Sequence, residues 1–249
     1  MFSLLFENPA LWLLFSAGKL PVIVFAISFH EAAHAWMALR CGDDTAARMG
    51  RITLNPVEHF DPVGFIAIVF FPIGWGKPVP YVERNLKDPR WDGMKIAIAG
   101  PISNVILAAI SGALYVGLSQ VEDPVRLLEA IKYDGILPTT MQKCIVFLIY
   151  VSAWSVYINL ALCFFNLIPL FPLDGEKVLM GFLPYEQAYK LADFRQYGPM
   201  ALLMLFVFGS GIIMGWIELM GTPFSVLFTL GDTLGDVWRT ISVCLGILW

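Results

Sequence analysis

Residues 30–34 read His-Glu-Ala-Ala-His, a spacing suited to metal chemistry. On an α-helix, positions i and i+4 share a face. Both imidazoles could therefore close on one Zn²⁺ while Glu31 reaches a metal-bound water as general base. Two of the three histidines in the chain fall in this motif, among Phe25, Ile27, Phe29 and Trp36. Ionisable groups within so apolar a run are costly and tend to mark function. The plainer alternative has these groups bridging to a neighbouring helix without metal, against the cost of burying unpaired charge.

A catalytic zinc usually has three protein ligands and one open position. The metzincin extension would place glycine and histidine at positions 37 and 40; the sequence has Met37 and Arg40 there. Glu58 and His59 follow within a turn-prone stretch, Asn-Pro-Val-Glu-His-Phe-Asp-Pro at 55–62. Asp174 is the stronger candidate. It closes Asn-Leu-Ile-Pro-Leu-Phe-Pro-Leu-Asp-Gly at 166–175, where prolines break an apolar helix and free backbone groups that need a polar cavity or protein partners. Alone, Asp174-Gly175 is a turn or an N-cap before Glu176. Taken with the distant histidines it completes a His₂Asp site for one zinc per chain.

Elements able to hold such a site in lipid are plentiful. The 249 residues are 58% hydrophobic and 14% charged, where a soluble domain carries about 25% charged residues. Mean hydropathy is +0.71; a net charge of −4 from sparse charges says nothing about nucleic acid, but no basic, aromatic-interleaved patch is evident, so no nucleic-acid partner is expected. Four cysteines form no CxxC pair. Cys144 and Cys163 lie in apolar stretches, where a thiol behaves as a small hydrophobe. No cleavable signal peptide is evident.

Runs at 11–39, 93–118, 144–170 and 200–220 are long and apolar enough to span a bilayer. The segment 65–75, short and broken by Pro72 and Gly74, fits a re-entrant loop. The tail 224–249, with Asp232, Asp236 and Arg239, lies in the interface or crosses imperfectly. The expected fold is an all-α polytopic membrane protein with five to six transmembrane helices. With no internal repeat, 1–249 reads as one domain, its core at about 20–180 and additional helices at about 198–249. Residues 40–61 and 77–95 hold eight of the sixteen Lys and Arg. A re-entrant 65–75 puts both basic loops on one side, which the positive-inside rule makes cytoplasmic, in a cell (inner) membrane.

With the two metal-ligand elements side by side, the sequence resembles the site-2 protease family of intramembrane zinc metalloproteases. The match continues between them through Gly42-Asp43-Asp44-Thr45-Ala46, Gly50-Arg51-Ile52-Thr53-Leu54-Asn55-Pro56, His59-Phe60-Asp61-Pro62-Val63-Gly64, Gly76-Lys77-Pro78-Val79-Pro80 and Ala99-Gly100-Pro101-Ile102-Ser103-Asn104. The resemblance implies zinc on His30, His34 and Asp174, with Glu31 as base. It implies that Asn166 polarises the scissile carbonyl or holds the oxyanion, although a buried amide equally well caps or bridges helices. It also implies a membrane-embedded β-hairpin beside the site. Gly76, Lys77, Pro78 and Val79 would there add an unwound substrate strand by main-chain pairing, an interfacial turn being the simpler reading. Asn104 reads as structural, beside Gly100 and Ser103 in a close helix contact, and His59 either pins the loop near the site or serves the turn. The chain has the look of a minimal family member, without a PDZ insertion or a nucleotide-sensing domain.

The expected activity is hydrolysis of peptide bonds within or near transmembrane segments of membrane-protein substrates, as in regulated intramembrane proteolysis, with the lipid bilayer as the other partner. Two other classes compete. A transporter would use the intramembrane His, Glu and Asp as an ion path, but matching broken-helix halves are not evident. A non-catalytic helix-binding scaffold would have no need of an intact His30, Glu31, His34 and Asp174.

Overall fold

The computed structural model describes residues 9–62, 64, 75–135, 137–209, 211–212 and 215–216. Eight α-helices are described: α1 Pro9–Cys41, α2 Thr45–Arg48, α3 Pro89–Val121, α4 Pro124–Asp134, α5 Thr140–Asn166, α6 Asp174–Phe182, α7 Tyr185–Asp193 and α8 Gly198–Phe208. Among the described residues no β-strand occurs. Among the described residues, three helices are long and apolar enough to cross a membrane: residues Gly18–Cys41 of α1, α3 and α5. The re-entrant segment expected at 65–75 (all but Trp75), most of the span expected at 200–220 beyond α8, and the tail 224–249 lie outside the described residues.

Local chemistry sets the helix ends. Asp88 caps α3 by accepting from the backbone N–H of Arg90 and Trp91, and Pro89 takes the first-turn position where no donor is missed. Asp123 and Pro124 do the same for α4, which closes on Gly135 at φ +67°. Thr139 and Gln142 form a capping box on α5. α5 stops at Asn166, earlier than the apolar run to 170, because Pro169 cannot continue the helix.

α3 is the central element, packing against α1, α5 and α6. Its residues sort by a four-residue step: Ile96, Gly100, Asn104 and Ala108 are buried, while Ile102, Ile106, Ile110 and Leu114 form an exposed apolar stripe. Such a stripe suits lipid, and the buried face suits helix neighbours. α1 meets α5 through Val22, Ala26, Val146, Ile149, Tyr150 and Ala153, and α5 meets α3 through Ala108, Val156, Leu160, Cys163 and Phe164. Small side chains (Ala26, Ala35 and Ala38 are fully buried) let α1 approach its neighbours closely.

The loops carry short amphipathic helices, α4, α6 and α7, where the sequence indicated only polar connections. Residues 75–82 run without regular structure toward a short 3₁₀ turn at Glu83–Asn85. Asp43, just past α1, anchors this strip: it accepts from Val82 N–H at 3.0 Å, Asn85 Nδ2 at 2.7 Å and Thr45 Oγ1 at 2.7 Å. Arg51, 2% exposed, donates to the carbonyls of Lys77 and Pro78. The connections after α1 and before α3 therefore meet at one end of the bundle.

Candidate active site

His30 and His34 stand one turn apart on α1, facing α3, and each is 7% exposed. Asp174 arrives from the first turn of α6, after the broken segment 167–173 folds back on itself. There Leu173 N–H donates to Leu170 O at 2.8 Å. A Cβ on Gly175 would lie 2.3 Å from Leu167 O, so only glycine allows this return path. Behind Asp174, the buried Glu176 accepts from Arg195 Nε at 2.7 Å and holds the turn.

The three donor atoms form a near-equilateral triangle. His30 Nε2 and His34 Nε2 are 3.0 Å apart, and Asp174 Oδ2 lies 3.1 Å and 3.2 Å from them. Tetrahedral zinc with bonds of about 2.0–2.1 Å places its ligand atoms roughly 3.3 Å apart, so the triangle is the right size. Among the described residues this is the cluster able to hold a metal ion.

The protonation pattern fits as well. Asn159 Nδ2 donates to the Ser155 carbonyl at 2.8 Å, which leaves Asn159 Oδ1 to accept from Asn104 Nδ2 at 2.8 Å. Asn104 Oδ1 is thereby left to accept from His30 Nδ1 at 2.6 Å. His34 Nδ1 donates to the Ile96 carbonyl at 2.7 Å. With both Nδ1 atoms protonated, both Nε2 atoms present lone pairs. Two lone pairs at 3.0 Å beside a carboxylate repel one another unless a cation or proton lies between them, which is the donor set zinc takes.

Residues that sequence reasoning missed or read as structural complete this arrangement. Asn104, fully buried, does not only bridge helices: it fixes the tautomer and orientation of His30. The Ile96 carbonyl does the same for His34, and Gly100 lies between the two. A Cβ at Gly100 would stand 2.4 Å from His34 Nε2 and 2.6 Å from His30 Nε2. Ile96, Gly100 and Asn104 thus form one face of α3 that clamps, clears and clamps again. The signal in the sequence was a polar amide four residues after a glycine in an apolar span, but its partner could not be read without the helix packing.

Glu31 stands beside the cluster, and a Cβ on Gly76 would lie 3.4 Å from Glu31 Cγ. Of the strip expected to bind substrate, Gly76 therefore borders Glu31. Lys77 is tied by its N–H to His59 O at 2.9 Å, Pro78 is held by Arg51, and Val79 follows without strand pairing among the described residues. Lys177 of α6 donates to Tyr81 Oη at 2.7 Å, joining this strip to the helix that carries Asp174. Glu58 is exposed and has no place in the cluster. His59 is buried, with Nε2 bonded to Thr53 O at 2.8 Å. Asn166 turns its amide back onto its own helix, donating to Leu162 O at 2.9 Å.

Comparison with known proteins agrees with this geometry. The sequence model described as peptidase family M50 matches residues 19–208. YwhC of Bacillus subtilis is 38% identical over 199 residues, covering 78% of this chain and 83% of that protein. MJ0611 of Methanocaldococcus jannaschii is 29% identical over 180 residues (68% and 78%). Rip2 of Mycolicibacterium smegmatis is 26% identical over 190 residues (74% and 64%). Each carries the name of a zinc metalloprotease. No solved structure matches the chain. By the extent of the family match and the identity to YwhC, the chain is an integral membrane protein belonging to peptidase family M50, the site-2 proteases.

Proposed function

We propose that this protein is an intramembrane zinc endopeptidase that cuts peptide bonds within or near transmembrane segments of other membrane proteins. The observation that carries the reading is the meeting of two imidazole Nε2 atoms with one carboxylate, next to Glu31, between apolar helices. One zinc per chain would sit on His30 Nε2, His34 Nε2 and Asp174 Oδ2. When bound, zinc supplies Lewis acidity toward the scissile carbonyl and the attacking water. Glu31 takes the proton of that water and delivers it to the leaving amine. Asn104 and Ile96 O keep the imidazoles oriented throughout. Asn166, at the end of α5, takes the oxyanion role, its amide released from Leu162 O when substrate arrives. Gly76, Lys77, Pro78 and Val79 receive the unwound substrate, whose carbonyls a helix would otherwise conceal.

We read 1–249 as a single domain with five to six crossings and a re-entrant segment at 65–75 beside the site. Support for a common side for both basic loops comes from Asp43, which ties the end of α1 to Val82 and Asn85. By charge that side is cytoplasmic, in the cell membrane.

The test is zinc content and cleavage measured together on purified protein. Glu31→Gln should keep zinc and lose cleavage of a membrane-spanning substrate by about 10²–10⁴-fold, as removal of a general base does. His34→Ala and Asp174→Asn should lose or weaken zinc, and Glu58→Gln should keep it. Cleavage by Glu31→Gln at the parent rate would end the peptidase reading.

A further inference from the structure

One helical turn before Glu31 on α1, Ile27 and Ser28 border a cavity of about 30 Å³, which His59, Asp61, Trp75 and Gly76 help to enclose. The cavity adjoins the catalytic centre: a Cβ on Gly76 would stand 2.7 Å from Ile27 Cγ2 and 3.4 Å from Glu31 Cγ. Its walls are mostly apolar, and it has room for a water or a small side chain.

The polar lining points to a particular occupant. His59 is 2% exposed. Its Nε2 lies 2.8 Å from the Thr53 carbonyl, which only accepts. Nε2 therefore carries the proton and Nδ1 a lone pair. That Nδ1 is buried and has no hydrogen-bond partner among the described residues, an uncommon and unfavourable state for a buried acceptor. Ser28 Oγ spends its proton on Val24 O at 2.7 Å, and Asp61 Oδ1 accepts from Gly64 N–H at 2.9 Å. The atoms that His59, Ser28 and Asp61 bring to this lining are thus acceptors, so a ligand that pairs with them brings a donor and little bulk.

We propose that this cavity is a side-chain subsite for a small substrate residue carrying a hydrogen-bond donor, such as serine, threonine or cysteine, with His59 as its acceptor. The proposal rests on the reading of Glu31 as the catalytic base acting on an extended substrate. One helical turn is about 5.4 Å and an extended chain advances about 3.3 Å per residue, so the subsite receives a residue one or two positions from the scissile bond.

Binding tests this independently of catalysis. The full-length Glu31→Gln chain, zinc-loaded in nanodiscs, is titrated with labelled single-span peptides. These carry a Gly-Pro break and Ala, Ser or Leu at each position around it. Ser should bind roughly 5-fold tighter than Ala at one position, the worth of one hydrogen bond, and Leu should bind weakest there. Adding His59→Gln keeps an N–H where Nε2–H tied Thr53 but leaves no acceptor at the Nδ1 position, and should erase the Ser advantage. His59→Asn restores an acceptor near the Nδ1 position and should preserve it. Equal affinities for Ser and Ala at every position, as a resident water would give, overturn the proposal, as does a Ser preference that survives His59→Gln. The Glu31 parent is scored for cleavage on the same peptides: binding with the Ser preference but no cutting leaves the subsite standing and removes the peptidase reading.

Discussion

Adding one methyl group to α3 tests how the metal cluster is held. In Gly100→Ala the new Cβ would lie 2.4 Å from His34 Nε2 and 2.6 Å from His30 Nε2, against an ordinary contact beginning at 3.4 Å. About 1 Å must therefore be recovered somewhere. Neither imidazole can swing away freely, because His30 is tied to Asn104 at 2.6 Å and His34 to Ile96 O at 2.7 Å. Both ties come from the same helix as the intruding methyl. Backing α3 off by 1 Å would stretch them to about 3.6–3.7 Å, outside hydrogen-bond range. Overpacking of this kind costs about 1–3 kcal/mol, and loss of partners behind metal-bound histidines weakens metal affinity by about 10–100-fold. The assay is zinc affinity by chelator competition, with a thermal melt on the same preparation. Gly117→Ala on the same helix is the control: its Cβ would meet nothing within 4 Å, so zinc affinity should not change. Zinc bound by Gly100→Ala within twofold of the parent would refute the account of α3 as a clamp.

Three further outcomes are expected. Asn104→Leu, similar in size but without an acceptor, should lower zinc affinity by about 10–100-fold while leaving the helical circular-dichroism signal intact; an unchanged affinity would show that His30 needs no partner. Burial pushes the Asp43 carboxyl up, but hydrogen bonds from Thr45, Asn85 and Val82 outweigh it and hold it below the usual carboxylate range. The stability it lends is therefore full above its unfolded pKa and fades as pH falls through its lower folded value. Asp43→Asn should flatten the loss of melting temperature below about pH 4, and an acid limb as steep as the parent's would contradict this. Arg195→Met leaves the buried Glu176 carboxylate without its guanidinium, a loss of about 3 kcal/mol that a second change, Glu176→Gln, should largely recover in thermal melts.

The cluster of His30, His34 and Asp174 was legible because it rests on local periodicity and on rare residues in apolar runs: the two histidines one turn apart, and the aspartate after a proline break. The three spans were legible for the same reason, since hydrophobic runs near 11–39, 93–118 and 144–170 correspond to α1, α3 and α5 within a few residues. Their ends moved where caps and prolines acted, as at Asp88 and Pro169. What could not be read was reciprocity between distant segments. Nothing in the string says that Asn104 faces His30, that Gly100 clears space for two imidazoles, or that the Asp43 and Arg51 side chains hold the strip at 77–82. Those facts depend on helix rotation and crossing, which composition leaves open. Of the re-entrant loop or β-hairpin expected at the site, 65–74 lies outside the described residues, and 75–82 runs without regular structure, held by side chains, with no strand partner among the described residues.

His30 and Asp174 are 144 residues apart in the chain yet 3.1 Å apart in space. At about 5–20 residues per second of synthesis, roughly 7–30 s pass between the making of the first histidine and the arrival of the carboxylate. Throughout that interval the growing chain lacks the third member of the proposed ligand set. Proteolytic competence is therefore a late event in biogenesis, and a ribosome-bound or prematurely terminated chain ending before residue 174 would be inserted in the membrane but harmless to its neighbours.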